Sequence, residues 1–175
     1  LEILAREATE KRGTMLYGEK DIARALDLWK TVGYHEDIEL PDGLSAELKN
    51  TGHILGSAMV ELTRGNAQII FTGDLGNTPD PLLPDFEPLF KARYLVIEGV
   101  YGDTTHEEKG SRRDRLEDII EGVIRENGVL LIPAFSIERT QKMLFEIKIM
   151  MEKKRVPPVP VFLDSPLAIK VTALY

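Results

Sequence analysis

Residues 52–77 read GHILGSAMVELTRGNAQIIFTGDLGN, and this stretch holds two candidate strands between two glycine-containing loops. The segments 58–62 and 68–72 are rich in β-favouring side chains, and residues 64–66 between them, Arg-Gly-Asn, are typical of a tight turn. Strands that follow each other in sequence usually pair in space. The stretch therefore predicts a β-hairpin whose open end carries both glycine-containing loops.

The two loops each contain a candidate metal ligand. His53 precedes the first strand and Asp74 follows the second, so the hairpin would bring an imidazole and a carboxylate to one sheet edge. Zinc and harder divalent ions both accept that combination. The small residues Gly52, Gly56 and Ser57 would allow close backbone approach. The alternatives are a locally hydrogen-bonded loop histidine and an ordinary turn aspartate.

The remainder of residues 1–105 predicts further helices and strands. Periodicity favours a helix end at 1–12, a helix from Glu19 to Thr31, a turn at 41–43, a strand from Leu44 to Lys49 and a buried strand from Tyr94 to Ile97. Ile22, Leu26 and Trp29 follow helical spacing, which places Trp29 in the core. His35 lies in a polar loop and is expected at the surface.

After about residue 105 helices and apolar runs alternate, which predicts an α/β layer with parallel strands. Ser111 is expected to cap a helix that buries Leu116, Ile119, Ile120, Val123 and Ile124, and Asn127-Gly128 ends it. The expected order then runs strand 129–133, a helix capped by Ser136 and reaching about Lys154, strand 161–163, and a helix opened by Ser165-Pro166. We therefore place a domain boundary near residue 105.

Composition limits the functions that are open to the chain. Its 175 residues include no cysteine and three histidines, and the formal net charge is −7. Disulfides and cysteine-ligated zinc are excluded, and a three-histidine site would need His35, His53 and His106 together. The negative charge argues against nucleic-acid binding by bulk positive charge, although a local basic groove or bound metal ions would permit it. There is no run of 18 apolar residues, so no membrane-spanning helix is predicted.

Three further positions are candidates for chemistry. Glu98 ends a predicted strand directly before Gly99, where it would support or ligate a metal or simply be solvated. The predicted helix start at Ser136 would offer free amides to a phosphate, and Arg139 would add a fork of donors. Ser165 opens a similar strand-to-helix connection. An ordinary structural connection is the alternative for both helix starts.

In chain order the motifs are GHILGSA, FTGDLGN, VIEGVYGDTTH, LIPAFSIERTQ and VFLDSPLA. Together they resemble the β-CASP branch of the metallo-β-lactamase-fold nucleases, which process RNA and DNA, and the resemblance covers nearly the whole chain. It implies an α/β fold in which residues 1–105 are part of a metallo-β-lactamase αββα sandwich. Residues 106–175 would begin the inserted β-CASP domain.

The resemblance also implies roles for single residues. His53 matches a histidine that ligates one zinc, and Asp74 matches an aspartate that bridges two zincs and so counts as metal ligand and catalytic residue. Glu98 matches an acidic residue that supports the metal site, which we group with the catalytic residues, whereas His106 has no firm role. Ser136, Arg139 and Ser165 are the expected substrate-binding residues. The implied cofactor is two Zn²⁺ ions, with Mn²⁺ as an option.

The implied activity is cleavage of single-stranded RNA by two zincs that activate a bridging hydroxide. The signature His-x-His-x-Asp-His would lie before Leu1 and two later histidine motifs beyond Tyr175, so we expect a fragment that is inactive by itself. A metal-free scaffold or RNA-binding relative and a small-molecule metallo-hydrolase are the rival functions. A cytoplasmic location is expected, and a homodimer, the cleavage mode and the RNA sequence preference stay open.

Overall fold

A computed structural model describes residues 17–105 and 109–175, and the chain divides into two compact units, Leu1–Glu36 and Asp37–Tyr175. The helix expected at residues 1–12 and the candidate His106 lie outside the described residues. A domain boundary near residue 105 stays a prediction.

In the first unit the predicted helix is shorter than the periodicity suggested. Helix α1 spans Glu19–Leu26, and the side chain of Asp21 accepts a hydrogen bond from the backbone N–H of Gly18 at 3.0 Å. Ile22 is buried as predicted, but Trp29 is 68% exposed, so its assignment to the core was wrong. Because the helix ends at Leu26, Trp29 is no longer helical, and its position seven residues after Ile22 does not place it on the buried face.

The second unit contains a five-stranded sheet in sequential order. Its strands are β1 (Ile38–Leu40), β2 (Leu44–Asn50), β3 (Ala58–Arg64), β4 (Ala67–Phe71) and β5 (Tyr94–Val96), and a 3₁₀ turn over Pro41–Gly43 joins the first two. The first four strands are antiparallel, whereas β5 pairs with β4 in parallel. The predicted hairpin is confirmed, with Arg64 opposite Ala67 beside the turn.

The core of the sheet is formed by one apolar side chain each from β2, β3 and β4. Met59 and Ile70 are fully buried and Ala46 is nearly so. Across β2 and β3, Lys49 Nζ donates a 2.5 Å hydrogen bond to Glu61, which raises the pKa of Lys49. β5 was expected to be buried, but Tyr94, Leu95 and Val96 are all exposed. That expectation was wrong because apolar composition cannot report whether a neighbouring element covers the strand.

Three helices follow the sheet. They are α2 (Lys109–Arg125), α3 (Arg139–Glu152) and α4 (Pro166–Thr172). A small core holds α2 to α3 through Ile120, Ile147, Met150 and Val156, and Arg113 forms a two-pronged ion pair with Glu146. The buried stripe of α2 is narrower than predicted, since Ile119 and Ile124 are exposed while Ile120 packs against α3.

The caps of these helices agree only in part with the sequence. Ser165 caps α4 as predicted and accepts a hydrogen bond from Ala168 N at 3.2 Å. Ser111 lies inside α2, which begins at Lys109, and Ser136 lies before α3, whose N-cap is Glu138. Both cap predictions were wrong. A capping pattern marks where a helix can begin, but the packing of neighbouring residues selects the residue at which it does.

The mixed α/β class is confirmed, but the two strands expected after residue 105 do not form. Residues 129–133 and 161–163 have no strand assignment, and Val129, Leu131 and Phe162 are more than four-fifths exposed. A strand needs a partner for its backbone groups, and the described residues provide none for these two segments. Among residues 17–105 and 109–175, no helix is long and apolar enough to cross a membrane.

The hairpin core offers a direct test of the fold. Truncation of the fully buried side chain in Met59→Ala should lower the free energy of unfolding by about 2–5 kcal/mol, through lost apolar contact and a residual cavity. Urea unfolding of the 175-residue chain measures this. The matched control Leu131→Ala, at an exposed position, should change stability by less than about 0.5 kcal/mol. Equal effects would contradict the assignment of Met59 to the core.

Candidate functional site

His53 is held in a turn between β2 and β3 by the hydroxyl of Ser57. Ser57 Oγ accepts hydrogen bonds from His53 N and Ile54 N, both at 3.1 Å, and from Thr51 Oγ1 at 2.8 Å. The backbone adds a bond from Ser57 N to Ile54 O at 3.0 Å. One side chain thus satisfies two amide donors that the turn would otherwise leave unpaired, and this fixes the direction in which His53 leaves the sheet.

The Asp74 loop packs directly on the His53 turn through glycine. Gly76 N donates to Thr51 O at 2.8 Å, and a side chain at Gly76 would overlap the carbonyl of Gly52. Gly73 has a φ of +55°, in the left-handed region that glycine adopts without steric cost. The two glycine-containing loops therefore sit against each other at the open end of the hairpin, as the sequence predicted.

Glu98 supports the Asp74 loop from the neighbouring strand. Its carboxylate Oε1 accepts a 2.6 Å hydrogen bond from Leu75 N, and its own backbone N–H donates to Thr72 Oγ1 at 3.2 Å. The parallel pairing of β4 and β5 creates this arrangement, because it places the ends of both strands at one edge of the sheet. Glu98 thus reaches the backbone of the residue directly after Asp74.

The two candidate ligands converge. His53 Nε2 lies 3.7 Å from Asp74 Oδ2, and their side chains are 38% and 70% exposed. A Zn–N and a Zn–O bond together span about 4.1 Å, so one ion can contact both atoms. No group of three or more His, Cys, Asp or Glu that could hold a metal ion occurs among residues 17–105 and 109–175. The pair therefore fits part of a metal site, since zinc takes at least three protein ligands.

The three expected substrate-binding residues lie where α3 and α4 begin. Ser136 Oγ and Ser165 Oγ are 3.3 Å apart, and Gln141 Nε2 donates to Ser136 O at 3.1 Å. Arg139 is the first residue of α3 and is largely exposed, with its Nε 3.3 Å from Glu138 Oε2. Ser136 does not cap the helix, so its predicted role as N-cap was wrong, but its hydroxyl lies beside that of Ser165.

Glu138 gives α3 an unusual start. With φ 68° and ψ −57° it forms the centre of a classic γ-turn, closed by a 2.9 Å hydrogen bond from Arg139 N to Ile137 O. This turn is rare and strained, and it persists only where surrounding contacts over-determine it. The side chain of Glu138 is buried and forms an ion pair with Lys142. No residue-type preference indicates glutamate at such a position, so sequence reasoning missed it.

Two polar residues that join the loops were not predicted from the sequence. They are Ser57, whose hydroxyl holds the His53 turn, and Asn50. Asn50 Nδ2 donates to Asp85 O at 3.0 Å, Asn50 Oδ1 accepts from Gly52 N at 3.0 Å, and Glu87 Oε1 accepts from Asn50 N at 2.8 Å. The sequence position of Ser57, four residues after His53, is compatible with a side chain that closes a short turn.

The chain is similar to several characterised proteins over most of its length. It is 32% identical to a ribonuclease of Thermus thermophilus, over all of this chain and 40% of the ribonuclease. It is 32% identical to an RNase J-like protein of Methanocaldococcus jannaschii, over 93% of this chain and 39% of that protein. Subunit 3-I of the cleavage and polyadenylation specificity factor of Arabidopsis thaliana is 30% identical to the chain, over 92% of this chain and 23% of that subunit.

These relatives are all much longer than the chain, which spans at most about 40% of each. No protein-family model matches the chain.

Ser57 provides a test of how the His53 turn is held. Ser57→Ala removes the acceptor of two backbone donors, and each unsatisfied donor costs about 1–3 kcal/mol where water cannot replace it. We expect faster amide hydrogen exchange at His53 and Ile54, measured by NMR, with the β3–β4 turn unchanged. Ser45→Ala in β2 is the control. Unaltered exchange at both amides would show that the turn does not depend on the hydroxyl.

Proposed function

Because the chain belongs to the β-CASP branch of the metallo-β-lactamase-fold nucleases, we propose that the protein containing it is a metal-dependent phosphodiesterase that cleaves RNA. The observation that carries the proposal is the convergence of His53 and Asp74 at one sheet edge, 3.7 Å apart, with Glu98 hydrogen-bonded to Leu75 N in the Asp74 loop. An exposed imidazole and carboxylate beside a rigid backbone are suited to hold an ion that must also reach a substrate.

The cofactor in this proposal is a pair of Zn²⁺ ions, for which Mn²⁺ is an alternative. His53 and Asp74 would be ligands, and other ligands would come from parts of the protein outside residues 17–105 and 109–175. Bound divalent ions would supply Lewis acidity to the phosphate and a nucleophile at neutral pH. The choice between the two metals depends on the missing ligands, because carboxylate favours manganese more than imidazole does.

In this proposal, residues of the chain orient the metal ligands and supply negative charge to the metal site. Ser57 fixes the turn that presents His53, so the backbone that carries the imidazole does not have to be ordered when an ion binds. Glu98 holds Leu75 N, and thereby the backbone that carries Asp74. Such supporting contacts contribute to metal affinity because they restrict the ligands to one geometry. Asp74 brings a negative charge that offsets the charge of the ions.

The RNA would be bound by local contacts rather than by the charge of the whole chain. The net charge of −7 repels a polyanion, so affinity must come from the metal ions and from groups such as Arg139, Ser136 and Ser165. Arg139 is exposed at the start of α3, and the two serine hydroxyls lie side by side. We propose single-stranded RNA as the substrate. A homodimer and a cytoplasmic location stay predictions.

Asp74→Asn in the full-length protein tests the ligand role of this residue. The substitution keeps the shape of the side chain and removes its charge, so we expect loss of metal and a rate of RNA cleavage lower by roughly 10²-fold. Elemental analysis and initial cleavage rates measure the two effects. The control Asp118→Asn lies on the exposed surface of α2 and should change neither. Full activity with full metal content would reduce Asp74 to a turn residue.

The substrate class is tested with labelled single-stranded RNA beside a β-lactam and a thioester, each with zinc or manganese supplied. We expect cleavage of the RNA alone and complete loss of cleavage with a chelator. RNA binding should weaken with salt through only a few phosphate contacts, each of which adds a slope of about −0.7. Arg139→Ala should weaken RNA binding without loss of metal. Hydrolysis of either small molecule with intact RNA would refute the proposed function.

A further inference from the structure

A buried carboxylate follows the Asp74 loop. The side chain of Asp80 is 3% exposed, and its Oδ1 accepts hydrogen bonds from Leu82 N at 2.9 Å and Leu83 N at 3.0 Å. Its Oδ2 forms an ion pair with Lys142 Nζ of α3. A carboxylate that has left water needs such partners, because burial without them disfavours the charged form strongly. Asp80 therefore fixes a loop of the sheet region to the first turn of α3.

Lys142 is shared between two buried carboxylates. Besides Asp80 it pairs with Glu138 Oε1, one helical turn earlier, and the Glu138 side chain is 9% exposed. Glu138 is also the centre of the γ-turn that starts α3, and its other oxygen lies 3.3 Å from Arg139 Nε. The ammonium of Lys142 thus compensates the negative charge of Asp80. It also holds the side chain of Glu138, whose strained backbone sets the direction of Arg139.

The loop that contains Asp80 contacts the His53 turn at its other end. Glu87 N donates to Asn50 O at 3.0 Å, and Asn50 Nδ2 donates to Asp85 O at 3.0 Å. Gly52 has a φ of +62°, and a side chain there would come within 2.7 Å of Pro84 O. The segment 80–87 therefore contacts the backbone beside His53 at one end and the start of α3 at the other.

We infer that Lys142, clamped between Asp80 and Glu138, is a positioning residue that sets the start of α3 and Arg139 relative to the His53–Asp74 pair. The inference rests on the proposed function, since it matters only if one RNA strand contacts both places. Removal of one partner from a buried ion-pair cluster leaves the other charges uncompensated. Without Lys142 the γ-turn loses the ion pair that holds it, and Arg139 no longer has a fixed direction.

The test uses Lys142→Met in the full-length protein, with single-stranded RNA as substrate. We expect KM for RNA to rise roughly tenfold, the scale of one charge-assisted contact, while metal content stays that of the wild type because Lys142 touches no proposed ligand. Lys148→Met is the matched control. Lys148 lies on the same helix, is largely exposed and carries the same charge, so its KM should change by less than about twofold.

Two further variants keep the test decisive if Lys142→Met does not fold. Lys142→Arg keeps the charge but replaces a compact ammonium by a planar fork, and should raise KM with metal content unchanged. Asp80→Asn combined with Lys142→Gln removes both charges, retains the acceptor for Leu82 and Leu83, and leaves Glu138 paired with Arg139. This double variant relieves the uncompensated charge on Asp80, so it should fold even if Lys142→Met does not, and its KM should stay raised because Glu138 still lacks Lys142.

Three outcomes would overturn the inference. An unchanged KM in Lys142→Met and Lys142→Arg would show that the cluster does not position the RNA-binding groups. A parallel loss of metal and activity would show that Lys142 supports the fold as a whole. Absence of RNA cleavage by the metal-loaded wild type would refute the proposed function and this inference with it. Normal cleavage by the wild type, with the same KM in the Lys142 variants, would refute the inference alone.

Discussion

The contact between the backbones of Gly76 and the Thr51–Gly52 pair determines the geometry of the candidate site. The 2.8 Å hydrogen bond from Gly76 N to Thr51 O joins two loops that leave different strands, and no side chain fits between them. His53 extends from one loop and Asp74 from the other, so their 3.7 Å separation follows from this contact. Ser57 and Glu98 then hold the two loops from either side.

Polar residues connect this edge of the sheet to α3. Asn50 and Glu87 bind the segment 80–87 to β2, and Asp80 binds the same segment to Lys142. Buried hydrogen bonds and ion pairs are directional, and a partly satisfied network is costly. Such a network therefore specifies one arrangement of loop and helix more sharply than the small apolar core between α2 and α3 would alone.

Three apolar segments have side chains that the described residues leave uncovered. β5 and the extended segments 129–133 and 161–163 have the composition of buried strands, yet Tyr94, Leu131 and Phe162 face solvent. The relatives are at least about twice as long as the chain. Local sequence carries the tendency to form a strand, whereas strand formation itself requires backbone groups on a neighbouring segment.

The sequence alone determined the hairpin, its turn, the mixed α/β class and the meeting of His53 with Asp74, because β-favouring side chains, turn residues and sequential pairing are local properties. It did not determine the start of α3 at the Glu138 γ-turn, the exposure of Trp29 or the Asp80–Lys142–Glu138 cluster. Each of these depends on which distant residues come into contact. Only the tertiary structure decides whether a strained turn is compensated, an apolar side chain is covered or a buried charge is paired.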